Sequence, residues 1–190
     1  MSKKVIILNG PPGVGKDTIA ALLTNHERTA VSRSFKEPMF NIALAMLGRE
    51  RYSDFVLAYH NREEKEKPHS FLNGKTCREF MIWISEDVIK PTFGKQHFGK
   101  LMADNIASVP EHIDVVVSDG GFKDELLPLI GAGFDVHVIR LHRDGFTFAG
   151  DSRDYLETIY DFDNLKFHDF TLYDGLPKEA ADAIYELVMR

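Results

Sequence analysis

A short apolar run followed by a glycine-rich loop and a helix is the feature that most constrains this fold. Val5-Ile6-Ile7-Leu8 is followed after Asn9 by Gly10-Pro11-Pro12-Gly13-Val14-Gly15-Lys16-Asp17-Thr18. This second segment fits the pattern G-x-x-x-x-G-K up to its lysine, and a helical pattern, Lys16 to Asn25, begins inside it. A strand, a loop and a helix in this order predict a loop whose backbone N–H groups surround phosphate oxygens.

Each position of the loop has an expected role toward a bound nucleotide. Gly10, Gly13, Val14 and Gly15 would supply backbone N–H groups, because glycines let the chain curl tightly. Lys16 would reach the β- and γ-phosphates, and Thr18 would hydrogen-bond the α-phosphate. Asp17 stands where Ser or Thr usually offers a hydroxyl to Mg²⁺. A carboxylate there would contact Mg²⁺ directly or hold one of its waters.

Alternating apolar runs and helical patterns predict an α/β fold. The further strands expected are Ala30–Ser34, Val115–Val117, Val136–Ile139 and Phe167–Tyr173. Helices are expected over Pro38–Leu47, Arg78–Ile89, Asp124–Ile130 and from Pro177 to Met189. This order predicts a three-layer α/β/α domain of the P-loop NTPase type over residues 1–190, with a mostly parallel sheet.

Two segments interrupt the alternation of strands and helices. Residues from about 35 to 110 are mostly helical and predict an inserted lobe. Residues from about 142 to 154 are rich in glycine and predict a short lid, with Arg140, Arg143 and Arg153 in or beside it. Arginine grips phosphate oxygens in pairs, so these side chains are candidates to close over bound phosphates; a solvated surface position is the alternative for each.

A second candidate site lies at the end of the middle strand. Val115-Val116-Val117-Ser118 leads into Asp119, and ligands of open α/β sheets bind at the carboxyl ends of strands. Asp119 would hold Mg²⁺ through water, or it would cap the following helix. Gly120-Gly121 would allow close approach of a ligand, and Phe122 would line a base pocket or belong to the core.

Composition excludes several other classes of function. The net charge of −6 divides into +5 over residues 1–100 and −11 over residues 101–190. A net acidic chain is a poor partner for a nucleic-acid polymer, whereas the basic half would attract a small phosphorylated ligand. No apolar run is long enough for a membrane span or a signal peptide, and there is one cysteine, Cys77. We therefore expect a cytoplasmic protein; a homodimer is compatible with the sequence.

Several segments together resemble the phage deoxynucleoside monophosphate kinases. The loop with its G-K-D-T ending is similar to the phosphate loop of that family. The other resembling segments follow in the family's order: Ser34–Pro38, Thr76–Met81, Ser85–Asp87 with Phe93 and Phe98, Ser118–Glu125, Arg143–Gly145 and Leu172–Gly175. A phage source would place the enzyme in the host cytoplasm.

The resemblance implies Mg²⁺-dependent transfer of the γ-phosphoryl group of ATP to a deoxynucleoside 5′-monophosphate. Its catalytic residues would be Lys16, Arg143 and Asp119, its metal-binding residues Asp17 and Asp119, and Asp174 would lie on the adenine side. Arg78 would hold the acceptor phosphate, with Lys36 assisting. Asp87 and Glu125 would bind the base or sugar or cap helices. The remaining substrate-side residues implied are Phe35, Phe98, Phe122 and Arg153.

The sequence also departs from the family pattern. Gly121 stands where the family often has an arginine, so a phosphate or base contact is missing or comes from elsewhere. Ile82 replaces an expected polar residue, and Phe98 replaces a tryptophan. Two other functions stay open: a P-loop kinase of another small acceptor, such as a nucleoside or coenzyme precursor, and a nucleotide-binding module that is not a kinase.

Overall fold

A parallel β-sheet forms the centre of the fold. In the computed structural model, which describes residues 2–25, 29–151, 153–157 and 162–189, this sheet contains five strands. They are β1 (Lys4–Asn9), β2 (Ala30–Arg33), β3 (Asp114–Val117), β4 (Asp135–His142) and β5 (Leu165–Thr171). Their spatial order is β2-β3-β1-β4-β5, and every pairing is parallel. Each run that the sequence predicts as a strand overlaps one of these strands, but the run Phe167–Tyr173 extends two residues beyond the end of β5, and Ala30–Ser34 one residue beyond β2.

The most apolar strand occupies the middle of the sheet. β1 lies between β3 and β4, with Ile6 opposite Val116 on one side and His137 on the other. The four residues Val5–Leu8 are fully buried. A strand with neighbours on both edges and helices on both faces has no solvent side, which explains why its sequence does not alternate.

Helices cover both faces of the sheet and complete three layers. The helix α1 (Lys16–Leu23) packs with a C-terminal helix, Pro177–Ile184, on the face formed by Ile6, Leu8 and Leu141. That C-terminal helix continues as a π-helical turn over Tyr185–Met189. The other face carries the helices His97–Ala107 and Lys123–Gly131. The fold is therefore the three-layer α/β arrangement that the sequence predicts.

Residues 36–97 form a second compact unit, and residues 1–35 and 98–190 form the first. The helices of the chain are numbered in order: α2 (Glu37–His60), α3 (Cys77–Trp83), α4 (Lys90–Phe93), α5 (His97–Ala107), α6 (Lys123–Gly131) and α7 (Pro177–Ile184). Short 3₁₀ turns lie at Glu64–Glu66 and Ser70–Leu72, and a π-helical segment, Ile84–Ile89, joins α3 to α4.

Aromatic packing holds the second unit together. Between ring centroids, the buried ring of Phe55 lies 5.7 Å from Tyr59 and 5.7 Å from Phe80, and Phe40 lies 5.0 Å from Tyr59.

α2 bends at Gly48, where φ is +71°, and then continues to His60. The predicted helix Pro38–Leu47 is therefore only the first part of a longer element. No helix in the described ranges is both long and apolar enough to cross a membrane.

Candidate phosphate site and the carboxyl edge of the sheet

The loop of residues 10–15 connects β1 to α1 at the carboxyl edge of the sheet. Gly13 and Gly15 have φ angles of +78° and +117°, in the region that favours glycine. A Cβ on Gly10 would lie 2.8 Å from the carbonyl oxygen of Leu141, so a larger residue would force the loop away from β4. Val14 is fully buried and fixes the middle of the loop in the core. The glycines are thus required by both conformation and space.

Lys16 folds back over the loop that precedes it. Its Nζ donates to the carbonyl oxygens of Gly10, at 2.6 Å, and Pro11, at 2.8 Å. These contacts hold a positive charge at the mouth of the loop, beside the N-terminus of α1, where an anion is stabilised. Thr18 is exposed on the first turn of the same helix.

The carboxylate of Asp17 is held by a residue of another strand end. Ser118, directly after β3, donates its hydroxyl to Asp17 Oδ1 at 2.7 Å. The two residues are 101 positions apart in the chain. The first turn of α1 is therefore linked to the carboxyl end of β3.

The neighbouring carboxylate, Asp119, binds the chain that follows β2. Its Oδ2 accepts from the hydroxyl of Ser34 at 2.6 Å, and its Oδ1 accepts from the backbone N–H of Phe35 at 3.0 Å. Asp17 and Asp119 both belong to the carboxyl edge, as the sequence predicts. Carboxylate oxygens suit Mg²⁺, and each oxygen keeps acceptor capacity beyond one hydrogen bond, so the donor set fits this ion. The described residues contain no cluster of three or more acidic, histidine or cysteine side chains with metal-binding geometry.

Glu125 caps the start of α6. Its Oε2 accepts from the backbone N–H groups of Gly121 and Phe122, each at 3.0 Å. Phe122 itself is 39% exposed, whereas Phe35 and Phe98 are buried at 3% and 5%. Of the three aromatic residues that the resemblance implies on the substrate side, Phe122 therefore presents the most surface.

Arg153 lies against the same edge and is paired with an acidic residue for which the sequence predicts no role. Asp151 accepts from the Nε and Nη2 atoms of Arg153, each at 2.8 Å, and the two side chains are largely buried. Hydrogen bonding to Asp151 raises the pKa of Arg153, and the charges of Glu125 and Asp119 add to this effect against the opposing effect of burial. Arg153 thus carries its positive charge close to the carboxylates of Glu125 and Asp119. The predicted lid, 142–154, also includes position 152, which lies outside the described residues.

Arg143 is connected to the phosphate loop through an aromatic ring. Its Nε donates to Asp174 Oδ1 at 2.9 Å, and its guanidinium lies 4.9 Å from the ring centroid of Phe146. A Cβ on Gly13 would be 3.1 Å from Phe146 Cε1, so this ring borders the loop. Arg143 and Asp174, for which the sequence predicts separate roles toward ATP, are therefore paired with each other, and Arg143 lies next to the predicted phosphate site.

Arg140 belongs to a different environment, within the sheet. It forms an ion pair with Asp169 of β5, which also accepts from His142 at 2.7 Å. Burial would raise the pKa of Asp169, but hydrogen bonds from His142 and Arg140 outweigh it and lower that pKa. These contacts give Arg140 a structural partner; its expected role toward phosphate remains a prediction.

The second unit holds the remaining predicted substrate residues. Arg78, on α3, donates from Nε to both carboxylate oxygens of Glu66, at 2.9 and 3.1 Å. Asp87 is exposed in the π-helical segment, and Lys36 is half-buried just before α2. Thr76 and Glu79 form a reciprocal cap that starts α3 one residue before Arg78. Arg78 is thereby placed on a well-defined first turn.

Three contributors to the site have no role in the sequence-based prediction: Ser118, Asp151 and Asn9. Asn9 is 1% exposed; its Oδ1 accepts from Leu156 N at 2.8 Å, and its Nδ2 donates to Asp154 O at 3.3 Å. It thereby attaches the segment containing Arg153 to the end of β1. Two of the three carry a local signal in the sequence. Asn9 is a polar residue at the end of an apolar strand, and Asp151 is an acidic residue two positions before Arg153.

Comparisons with known proteins give a limited result. No protein-family model matches the chain, and no curated protein matches it. Among solved structures, the tunicamycin resistance protein of Deinococcus radiodurans is similar, with 16% sequence identity and a TM-score of 0.48. That similarity covers 97% of this chain and 95% of the other.

Proposed function

We propose that this chain transfers the γ-phosphoryl group of ATP to a deoxynucleoside 5′-monophosphate. The observation that carries the proposal is the loop of residues 10–15, with Lys16 Nζ within 2.8 Å of two of its carbonyl oxygens. A loop of this sequence between a buried strand and a helix N-terminus is suited to the phosphates of a nucleotide. Resemblance of further segments to deoxynucleoside monophosphate kinases supports the acceptor.

The proposed reaction needs little covalent chemistry from the protein. An anionic oxygen of the acceptor phosphate attacks the γ-phosphorus, the bond from that phosphorus to the β,γ-bridging oxygen breaks, and ADP leaves with the electron pair. No general base is required, because the attacking oxygen already carries negative charge. The protein must align two phosphate groups and stabilise charge on the transferred group.

Each proposed role follows from a side chain at the carboxyl edge. Lys16 stabilises charge on the β- and γ-phosphates, and Arg143, next to the loop through Phe146, stabilises the transferred group. Asp17 and Asp119 would hold Mg²⁺, which screens the charge of ATP. Arg153 is the proposed contact of the acceptor at this edge. Arg78, on α3 of the second unit, keeps the acceptor role that the resemblance implies.

A coupled assay of ADP release tests the function. Mg-ATP is supplied with single deoxynucleoside monophosphates, the ribonucleotides, and acceptors with a hydroxyl in place of phosphate. Stimulation by one or more deoxynucleotides supports the proposal. Stimulation only by hydroxyl acceptors would identify a kinase of another small molecule, and consumption of ATP independent of any acceptor would identify a non-kinase module.

A matched pair of lysine variants ties the activity to the loop. Lys16→Met removes the charge at the loop mouth and should reduce turnover at least ~100-fold. Lys178→Met removes an exposed lysine at the start of α7 and should leave turnover unchanged. Equal turnover in the two variants would overturn the assignment of the site.

A further inference from the structure

The hydrogen bond between Ser118 and Asp17 has no role in the function proposed so far. The residue after the loop lysine usually brings a hydroxyl, and here it brings a carboxylate. A hydroxyl is nevertheless present next to this carboxylate, because Ser118 Oγ lies 2.7 Å from Asp17 Oδ1. The chain thus combines a carboxylate from α1 with a hydroxyl from the end of β3.

The position of Ser118 suits a supporting role. It directly precedes Asp119, whose carboxylate binds Ser34 and Phe35 after β2. Val117, just before it, is fully buried between neighbouring strands. Ser118 is therefore fixed by the sheet, whereas Asp17 is an exposed residue on the first turn of a helix. An exposed carboxylate has rotamer freedom, and a hydrogen bond from the residue that follows a buried strand restricts it.

We propose that Ser118 is a positioning residue that holds Asp17 in the orientation needed for the divalent cation of a bound nucleotide. This inference rests on the proposed function only as far as binding of a metal–nucleotide complex. In this arrangement the hydroxyl that the loop usually supplies comes instead from Ser118, directly after β3. The carboxylate of Asp17 then contacts the ion or its waters. Partners that orient metal ligands commonly change metal affinity 10–100-fold when removed.

Binding of ADP measured by calorimetry, with Mg²⁺ and with EDTA, tests this role without relying on catalysis. In the unmodified protein Mg²⁺ should strengthen ADP binding. In Ser118→Ala that strengthening should fall about tenfold, while the affinity in EDTA stays the same. Ser118→Thr keeps the hydroxyl and should restore the Mg²⁺ effect.

Variants of Asp17 separate a positioning role from a general loss of structure. With Asp17→Ser the hydroxyl returns to α1, so adding Ser118→Ala should have little further effect on Mg²⁺-dependent binding. A full additional tenfold loss in that double variant would overturn the proposal. So would an unchanged Mg²⁺ effect in Ser118→Ala.

The same binding measurements distinguish a failure of nucleotide binding from a failure of the role proposed for Ser118. If the unmodified protein binds no ADP in either condition, nucleotide binding itself fails, and the role of Ser118 fails with it. If ADP binds with a Mg²⁺ effect that Ser118→Ala leaves intact, the loop function stands and only the role of Ser118 is wrong. Thermal unfolding of each variant without ligand should give the same midpoint, which excludes misfolding as the cause.

Discussion

The side chain of Arg153 crosses the space that any side chain of residue 121 would occupy. A Cβ on Gly121 would lie 2.7 Å from Arg153 Cδ and 3.2 Å from its Cγ. The arginine cannot easily move aside, because Asp151 holds its guanidinium through two hydrogen bonds of 2.8 Å. The family resembled by this sequence often has an arginine at position 121. Here the guanidinium next to that position comes from residue 153.

Gly121→Ala should therefore displace Arg153. We expect a destabilisation of about 1–3 kcal/mol from the overpacking, with the Michaelis constant for the acceptor raised more than that for ATP. Urea unfolding and steady-state kinetics measure the two effects.

A double variant tests whether the two residues act together. With Arg153→Ala the space above Gly121 opens, so adding Gly121→Ala should then be nearly neutral for stability. Strictly additive effects would show that the contact between positions 121 and 153 is unimportant.

Arg143 gives a second prediction, on catalysis rather than stability. Its partner Asp174 is 86% exposed, so the ion pair should contribute less than about 1 kcal/mol to the free energy of unfolding. Arg143→Ala should leave the unfolding midpoint unchanged but reduce kcat about 100-fold, if the guanidinium stabilises the transferred group. Arg143→Lys should recover only part of the rate, because a single ammonium cannot form paired contacts.

Asp174→Ala is the matched control for this prediction. It removes the same ion pair but keeps the guanidinium, so kcat should change far less than in Arg143→Ala. Equal losses in both variants would assign the effect to the ion pair instead of the arginine.

The sheet was predictable because its signals are local. Val5–Leu8 and Val115–Val117 are continuous apolar runs, and such runs become buried parallel strands wherever helices separate them. The extent of α2 was not predictable in the same way. Gly48 interrupts the pattern, and only packing of Phe55 and Tyr59 in the second unit carries the helix on to His60.

The candidate site also has parts that local sequence predicts and parts that it does not. The loop with Lys16 and its place after β1 follow from adjacent residues. The contacts of Ser118 with Asp17 and of Asn9 with Leu156 join residues 101 and 147 positions apart, so they depend on the fold as a whole. Sequence spacing therefore indicates that the loop and Asp119 reach the carboxyl edge, but not which side chains hold one another there.

Lys3 gives a prediction about stability. It is 8% exposed, and its Nζ donates to the carbonyl oxygens of Ile106, in the last turn of α5, at 2.6 Å, and of Val109, two residues beyond that helix. Lys3→Met keeps the length of the side chain but leaves buried carbonyl groups without this donor. We expect a loss of about 1–3 kcal/mol in the free energy of unfolding, measured with urea. Lys178→Met should change it by less than about 0.5 kcal/mol.

The histidines His137 and His168 predict a stability that depends on pH. His137 Nδ1 lies 3.1 Å from His168 Nε2, and the rings are stacked at 9° between their planes. Burial lowers the pKa of both side chains, and for His168 the neighbouring charges of His137 and Lys166 lower it further. Hydrogen bonding and charge from Asp135 raise the pKa of His137, whereas Lys166 and Lys4 lower it, and Asp169 raises the pKa of His168.

The sign of the effect follows from proton binding. Below pH 6.5 the unfolded chain takes up protons that the folded pair does not, so the free energy of unfolding falls as pH falls. Asp135 has a lowered pKa, because bonds from Lys166 and His137 outweigh burial, and it acts only at lower pH. Burial raises the pKa of Asp114, which gives the opposite slope above pH 3.8. A variant is therefore needed to isolate the histidines.

His168→Gln removes one of the two rings and keeps a polar side chain on β5. Urea unfolding at several pH values between 5 and 7.5 should give a steep decrease in stability for the unmodified protein and a shallower one for the variant. Asp114 is present in both proteins, so its contribution cancels in the comparison. Identical slopes would mean that the close contact between the histidines does not control the acid sensitivity of the fold.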